Sequence, residues 1–182
     1  MPTALVPFAP GFEEMEGVII VDICRRARWN VDTVGLAPGL VTCSRGVRIQ
    51  PDKVWGDIHP LEYDLLILPG GAGGTDALIQ DTRVLEAIRA YDKAKKWIGA
   101  ICAAALVLQA AGILTAGRKV TCHPGVTEKL TAVPRQSAHT VVDHRLVTSQ
   151  GPGTAIDFAL TLVRLIDGAA SADKLSKELI LA

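Results

Sequence analysis

The stretch Ala100-Ile101-Cys102-Ala103-Ala104 sets a cysteine between small residues. It falls where an apolar run, Trp97 to Ile101, gives way to an alanine- and leucine-rich segment, Ala103 to Ala111. Small-x-nucleophile-x-small is the pattern of a nucleophile elbow, in which small neighbours let a strained strand-to-helix turn hold one reactive side chain above a sheet. Alanines stand here where glycines are usual. A cysteine at a helix start also feels the positive end of the macrodipole and nearby unpaired amides, so the position predicts a thiol whose pKa is lowered. The competing reading is an inert buried cysteine, the commoner fate of the residue, so the pentapeptide needs company to be decisive.

That company comes from three places. Leu68-Pro69-Gly70-Gly71 ends a second apolar run in two glycines, whose free amides offer an oxyanion site. Glu16 falls on the apolar face of a helical stretch by the spacing Glu16, Ile19, Ile20, Ile23, where a carboxylate is costly unless it is paired or protonated. Burial and a nearby thiolate would raise its pKa, as a general acid/base near neutral pH requires. The neighbouring Glu13 and Glu14 need only the helix dipole to explain them. His123, in Cys122-His123-Pro124-Gly125, offers a base or electrostatic partner. His59-Pro60 shows how common a loop histidine before proline is, and His139 and His144 read as surface residues. Cys122 would serve as a resolving thiol if its sulfur approached Cys102, although a neighbour on a strand points the other way.

Elements of two periods alternate along the chain. Strands are expected at residues 4–8, 31–35, 63–68, 97–101, 119–122, 141–142 and 146–148, with a hairpin pairing 41–43 with 47–49 around Ser44-Arg45-Gly46. Helices are expected at 13–28, 82–96, 103–111, 154–166 and 171–181. Near-continuous apolar strands suit a sheet covered on both faces, so the pattern predicts an α/β doubly wound sandwich. The chain reads as one domain over residues 1–182, with no repeat or long linker.

Nineteen basic and nineteen acidic side chains cancel, leaving no net field to attract nucleic acid or an anionic membrane. Small molecules or a second copy of the chain are the expected partners. The first ten residues lack a signal-peptide pattern, and no apolar run reaches the roughly 18 residues of a membrane span, so the cytoplasm is the expected location. Four cysteines without CxxC spacing argue against a disulfide scaffold or a structural metal.

Taken in order, Glu16, Leu68-Gly71, Ala100-Ala104, His123-Pro124 and Thr148-Ser149-Gln150-Gly151-Pro152-Gly153-Thr154 resemble the ThiJ/PfpI superfamily, and within it the DJ-one-like branch. The resemblance covers essentially the whole chain. It implies a flavodoxin-like sandwich, a homodimer, Cys102 as the reactive residue, Glu16 as its hydrogen-bonded acid, and Gly71 with Ala103 at the oxyanion position. It further implies that the first helix and the Cys43-Ser44-Arg45 turn lie at the dimer interface, with Arg45 reaching toward the partner's pocket. Ala104-Ala105 departs from the Gly-Pro many relatives carry after the elbow, which leaves the pocket's shape open.

The implied activity is a glutathione-independent glyoxalase, or a deglycase using the same attack. It would convert 2-oxoaldehydes such as methylglyoxal to 2-hydroxy acids without cofactor or metal. The alternative is an oxidative-stress sensor or redox-regulated chaperone acting through oxidation of Cys102. A carboxylic acid, a thiol and amide donors around one point form a catalytic set, which favours the enzyme. PfpI-type proteolysis is disfavoured because Ala103 stands where a histidine should follow the cysteine, and amidotransferase chemistry because no His-x-Glu pair is present.

Overall fold

A computed structural model describes residues 1–181. In chain order the elements are β1 (Thr3–Phe8), α1 (Glu14–Arg26), β2 (Asn30–Gly35), β3 (Val41–Thr42), β4 (Arg48–Ile49), β5 (Lys53–Val54), β6 (Leu65–Leu68), α2 (Ala72–Gln80) and α3 (Thr82–Lys93). There follow β7 (Trp97–Ile101), α4 (Ala105–Ala110), β8 (Thr140–Asp143), β9 (Leu146–Ser149), α5 (Ala155–Asp167) and α6 (Ala169–Glu178). Seven strands form one sheet in the order β5-β2-β1-β6-β7-β9-β8, parallel except for the β8–β9 hairpin at one edge. The central five, β2-β1-β6-β7-β9, follow the flavodoxin-like order 2-1-3-4-5. This is the doubly wound sandwich expected from the sequence. The direction of winding reverses between β1 and β6, and ligands bind outside the carboxyl ends of the strands at such a switch point.

Alternation along the strands divides the core into two layers. Leu5, Leu66, Leu68 and Ile98 pack against α3 and α4 through Val84, Ile88, Tyr91, Val107 and Leu108. On the other face Val6, Leu65, Ile67 and Val147 meet Ile20 and Ile23 of α1 and Phe158 and Leu162 of α5. Gly99 lets Phe158 approach β7, since a Cβ there would lie 3.0 Å from the Phe158 ring. The strand residues are buried on both faces, which is why they read as unbroken apolar runs.

Several expectations are corrected. Residues 119–122 form no strand, only an isolated bridge between Val120 and Arg135, because Thr121 gives its amide to the Thr148 hydroxyl. The expected strand from Tyr63 begins at Leu65. Tyr63 lies instead in a turn whose carbonyl accepts from Tyr91 and Lys96. Helix α3 stops at Lys93, and the chain turns at Lys95 with φ of 55°. Helix α2 was not expected, because glycine is a poor helix former. Gly74 is required by contact, since a Cβ there would lie 2.6 Å from Phe12 Cα. Among the described residues no helix is long and apolar enough to cross a membrane.

Phe158 is fully buried at the meeting of α5 and the sheet. Its replacement by alanine is expected to lower unfolding free energy by about 3–5 kcal/mol, read by denaturant titration.

Candidate active site

Three chain segments converge at the carboxyl edge of the sheet: the start of α1 after β1, the glycine turn after β6, and the turn after β7. Cys102 opens a short 3-10 turn, Cys102–Ala104, with φ of 63°. A non-glycine residue held there costs about 1–3 kcal/mol, a strain that clusters at functional sites. The small neighbours make it feasible. Ala104 and Ala105 are buried against the sheet, so the first turn after the elbow packs without glycine or proline.

Glu16 is fully buried in the first turn of α1. Glu13 caps that turn, accepting the Glu16 amide at 2.8 Å. The Gly70 amide donates to Glu16 Oε2 at 2.7 Å, while the other oxygen, Oε1, is buried with no hydrogen-bond partner. A Cβ on Gly70 would lie 2.6 Å from Cys102 Cβ and 2.8 Å from Glu16 Oε2, so only glycine lets the carboxylate and the cysteine stand together. Gly71 has φ of 86°, and a Cβ there would meet the Glu13 nitrogen and Gly11 oxygen at 2.6 Å. Its amide and that of Ala103 instead face the Cys102 sulfur and favour its thiolate. The proposed oxyanion donors thus divide: Gly71 and Ala103 face the sulfur, while Gly70 holds the acid.

Burial pushes the Glu16 carboxyl up to about 7, opposed by the bond from Gly70 and the hydrogen bond with Cys102. The thiol is pushed up to about 12, first by burial and then by the Glu16 charge, against the pull of the Gly71 and Ala103 amides. This corrects the expectation of a lowered thiol pKa: desolvation and a like-charged neighbour outweigh the amides. The two groups form one coupled unit that gives up its first proton near neutral pH. The thiol is donor to the ionised carboxylate, and transfer of that proton leaves thiolate and carboxylic acid side by side.

His123 is exposed at the rim. Its amide donates to the Cys102 carbonyl at 3.1 Å, and its Nδ1 accepts the Gly125 amide at 3.0 Å. A neutral ring in that arrangement carries its proton on Nε2, so it presents a donor rather than a base. Cys122, though next in sequence, packs fully buried in the opposite core layer, beside Arg135 and Thr127. Cys102 belongs to the other layer, and all four cysteines are free thiols. This placement counts against a resolving role for Cys122. Arg45 lies on the β3–β4 turn, where its amide donates to the Glu14 carboxylate at 2.9 Å while its side chain is exposed. Among the described residues of one chain its guanidinium bonds only the Ser44 carbonyl.

A cavity of about 720 Å³ lies at the opposite edge of the sheet beside Ile98, Arg118 and Leu146, away from this chemistry. Cys102 is itself nearly buried, being 8% exposed. Thr154 was missed in the sequence. Its hydroxyl accepts the Gln150 and Gly151 amides at 3.2 and 3.1 Å and contacts Ser149 Oγ at 2.7 Å, fixing the third wall of the site. The signal available was Thr154 opening a helix just after Gly151-Pro152-Gly153.

A parallel sheet with a cysteine elbow and a buried acid defines a class of cysteine-centred α/β proteins, and comparison with known proteins gives the family. The DJ-1/PfpI family model matches residues 2–165, and the chain belongs to that family. The Caenorhabditis elegans protein named glutathione-independent glyoxalase DJR-1.2 is 36% identical over 172 residues, covering 93% of this chain and 91% of that one. Protein DJ-1 homolog B of Arabidopsis thaliana is 39% identical over 178 residues, 97% of this chain but 40% of that longer protein. The structure of oxidized Toxoplasma gondii DJ-1 superposes with a TM-score of 0.94 at 32% identity, covering 100% of both chains.

Two measurements check the coupling. The pH profile of Cys102 alkylation is expected to show a step near 7 that disappears in Glu16→Gln; an identical profile in the variant would show the groups to be independent. The folded-state value of Glu16 lies above its ordinary 4.5. Between 4.5 and about 7 the folded state therefore binds more protons than the unfolded one, and stability falls as pH rises through that window. Melting curves of Glu16→Gln are expected to lack this component of the pH dependence.

Proposed function

We propose that the protein is a cysteine-dependent, glutathione-independent glyoxalase acting on small 2-oxoaldehydes. The observation that carries this reading is the buried, unpartnered Glu16 Oε1 beside a thiol that two backbone amides also face. A sensor needs the thiol; a free carboxyl oxygen held at half-ionisation next to it is what proton transfer between adjacent carbons needs. The named activity of the Caenorhabditis elegans relative supports the same reading.

In the proposed reaction Glu16 takes the thiol proton as the Cys102 sulfur bonds to the aldehyde carbon. The carbonyl electron pair moves to oxygen, where the Gly71 and Ala103 amides stabilise it until it is protonated. Glu16, returned to carboxylate, removes hydrogen from that carbon, and the electron pair forms a double bond to the former ketone carbon, whose oxygen takes a proton. Protonation of the second carbon, with loss of the proton from the first carbon's hydroxyl as its carbonyl re-forms, gives a thioester: the first carbon has been oxidised and the second reduced. Water then adds to the thioester, the carbon–sulfur bond breaks, and a 2-hydroxy acid leaves. The sum is oxoaldehyde plus water to hydroxy acid, with no external electron acceptor. His123 donates from Nε2 to the ketone oxygen.

A homodimer is proposed with it. Glu14 binds Ser44 and Arg45 and so ties the β3–β4 turn to α1, and the adjoining segments expose Met15, Val18 and Val47. A second copy would cover these apolar side chains and bring its Arg45 toward the site. Sedimentation should give about twice 19.3 kDa, and Val18→Asp should shift it to monomer.

The activity is tested by lactate formation from methylglyoxal without glutathione, in a reducing medium such as the cytoplasm provides. Wild type is expected to turn over, with Cys102→Ser and Glu16→Ala reduced at least a hundredfold while folded. Equal inactivity of all three would reject the enzyme and favour the stress sensor or redox-regulated chaperone.

A further inference from the structure

We infer that Gly151 is a size gate, which restricts the second carbon of a 2-oxoaldehyde to a hydrogen or methyl substituent. The inference rests on the glyoxalase reading for its substrate, and on the geometry alone for the gate. Gly151 has φ of 167° and ψ of −169°, an extended conformation open to any residue, so the backbone does not demand glycine. What a side chain would meet is the site itself: a Cβ there would lie 3.3 Å from His123 Cδ2, tight enough to press on the imidazole, and 4.0 Å from Glu16 Oε1, in ordinary contact. Gly151 thus forms one wall of a slot whose other sides are the exposed imidazole and the buried carboxyl oxygen without a partner.

The wall is rigid. The Gly151 amide is held by Thr154 Oγ1 at 3.1 Å, and its carbonyl accepts the Thr154 amide at 2.9 Å and faces the Thr154 hydroxyl at 3.0 Å. On the far side Glu16 is fixed by Gly70. His123 is the side that can yield, at the cost of its bond from Gly125. A substrate joined to the Cys102 sulfur at its aldehyde carbon must bring its second carbon within reach of Glu16 Oε1, which places the substituent of that carbon against Gly151.

The test compares glyoxal, methylglyoxal and phenylglyoxal in wild type and Gly151→Ala, with fold checked by circular dichroism. Wild type is expected to process phenylglyoxal at least a hundredfold less efficiently than methylglyoxal. In the variant the loss in kcat/KM on methylglyoxal should exceed the loss on glyoxal at least tenfold. Equal losses on both would overturn the gate. A second readout needs no turnover: the sulfur displaces iodide from iodoacetamide or from 2-iodopropanamide, which differ by one methyl group. The ratio of the two rates should rise at least fivefold in Gly151→Ala and fall back in Gly151→Ala/His123→Ala. An unchanged ratio overturns the gate, whereas a shifted ratio in a protein inactive on all three aldehydes keeps the gate and rejects the glyoxalase reading.

Discussion

A carboxylic acid buried without a cation beside a buried thiol is the constraint on which the rest of the site depends. Burial of an isolated charge is costly, and a group so placed shifts its pKa until it holds a proton. Glu16 meets that cost with one amide bond from Gly70 and the contact with Cys102, and its value settles near neutrality. The fold supplies the means. The switch point between β1 and β6 puts the start of α1, the glycine turn and the elbow after β7 at one edge, and glycines at 70 and 71 remove the side chains that would hold them apart.

Acidity does not single out Cys102. The thiols of Cys24, Cys43 and Cys122 are also pushed up by burial, Cys43 to about 11. What separates Cys102 is its surroundings: a base beside the thiol, two amides facing the sulfur, and a slight exposure to solvent. Reactivity on this account is produced by proton transfer within the pair during attack, as in other nucleophile–base pairs, rather than by a standing thiolate. The positive φ of Cys102 is what points the sulfur at these partners.

The parts of this arrangement legible in the sequence were those set by local pattern. Apolar runs gave the sheet, and the placement of Glu16 with Ile19, Ile20 and Ile23 on one helical face holds in the structure, where Ile19 is half-buried and the other three are buried. Small residues around Cys102 marked the elbow. Contacts between distant segments were not legible. Helix α2 carries Gly74 in its first turn because its packing on Phe12 requires it, and residues 119–122 lose their expected pairing to a side-chain acceptor from β9. The direction of the thiol shift depends on how deeply the turn is buried, which a helix-start argument does not contain. Likewise the Nδ1 bond that fixes the His123 proton on Nε2, and the Thr154 hydroxyl that holds Gly151, are results of loop geometry.

The central claim, that Glu16 and Cys102 share protons as one unit, is tested most directly by infrared difference titration of the Glu16 carboxyl, isolated by subtracting the Glu16→Gln spectrum. The protonated band should vanish with a midpoint near 7. In Cys102→Ala the midpoint should move higher, since the bond from the thiol that favours the carboxylate is gone. A midpoint at the ordinary 4.5, or one that Cys102→Ala leaves in place, would contradict the account.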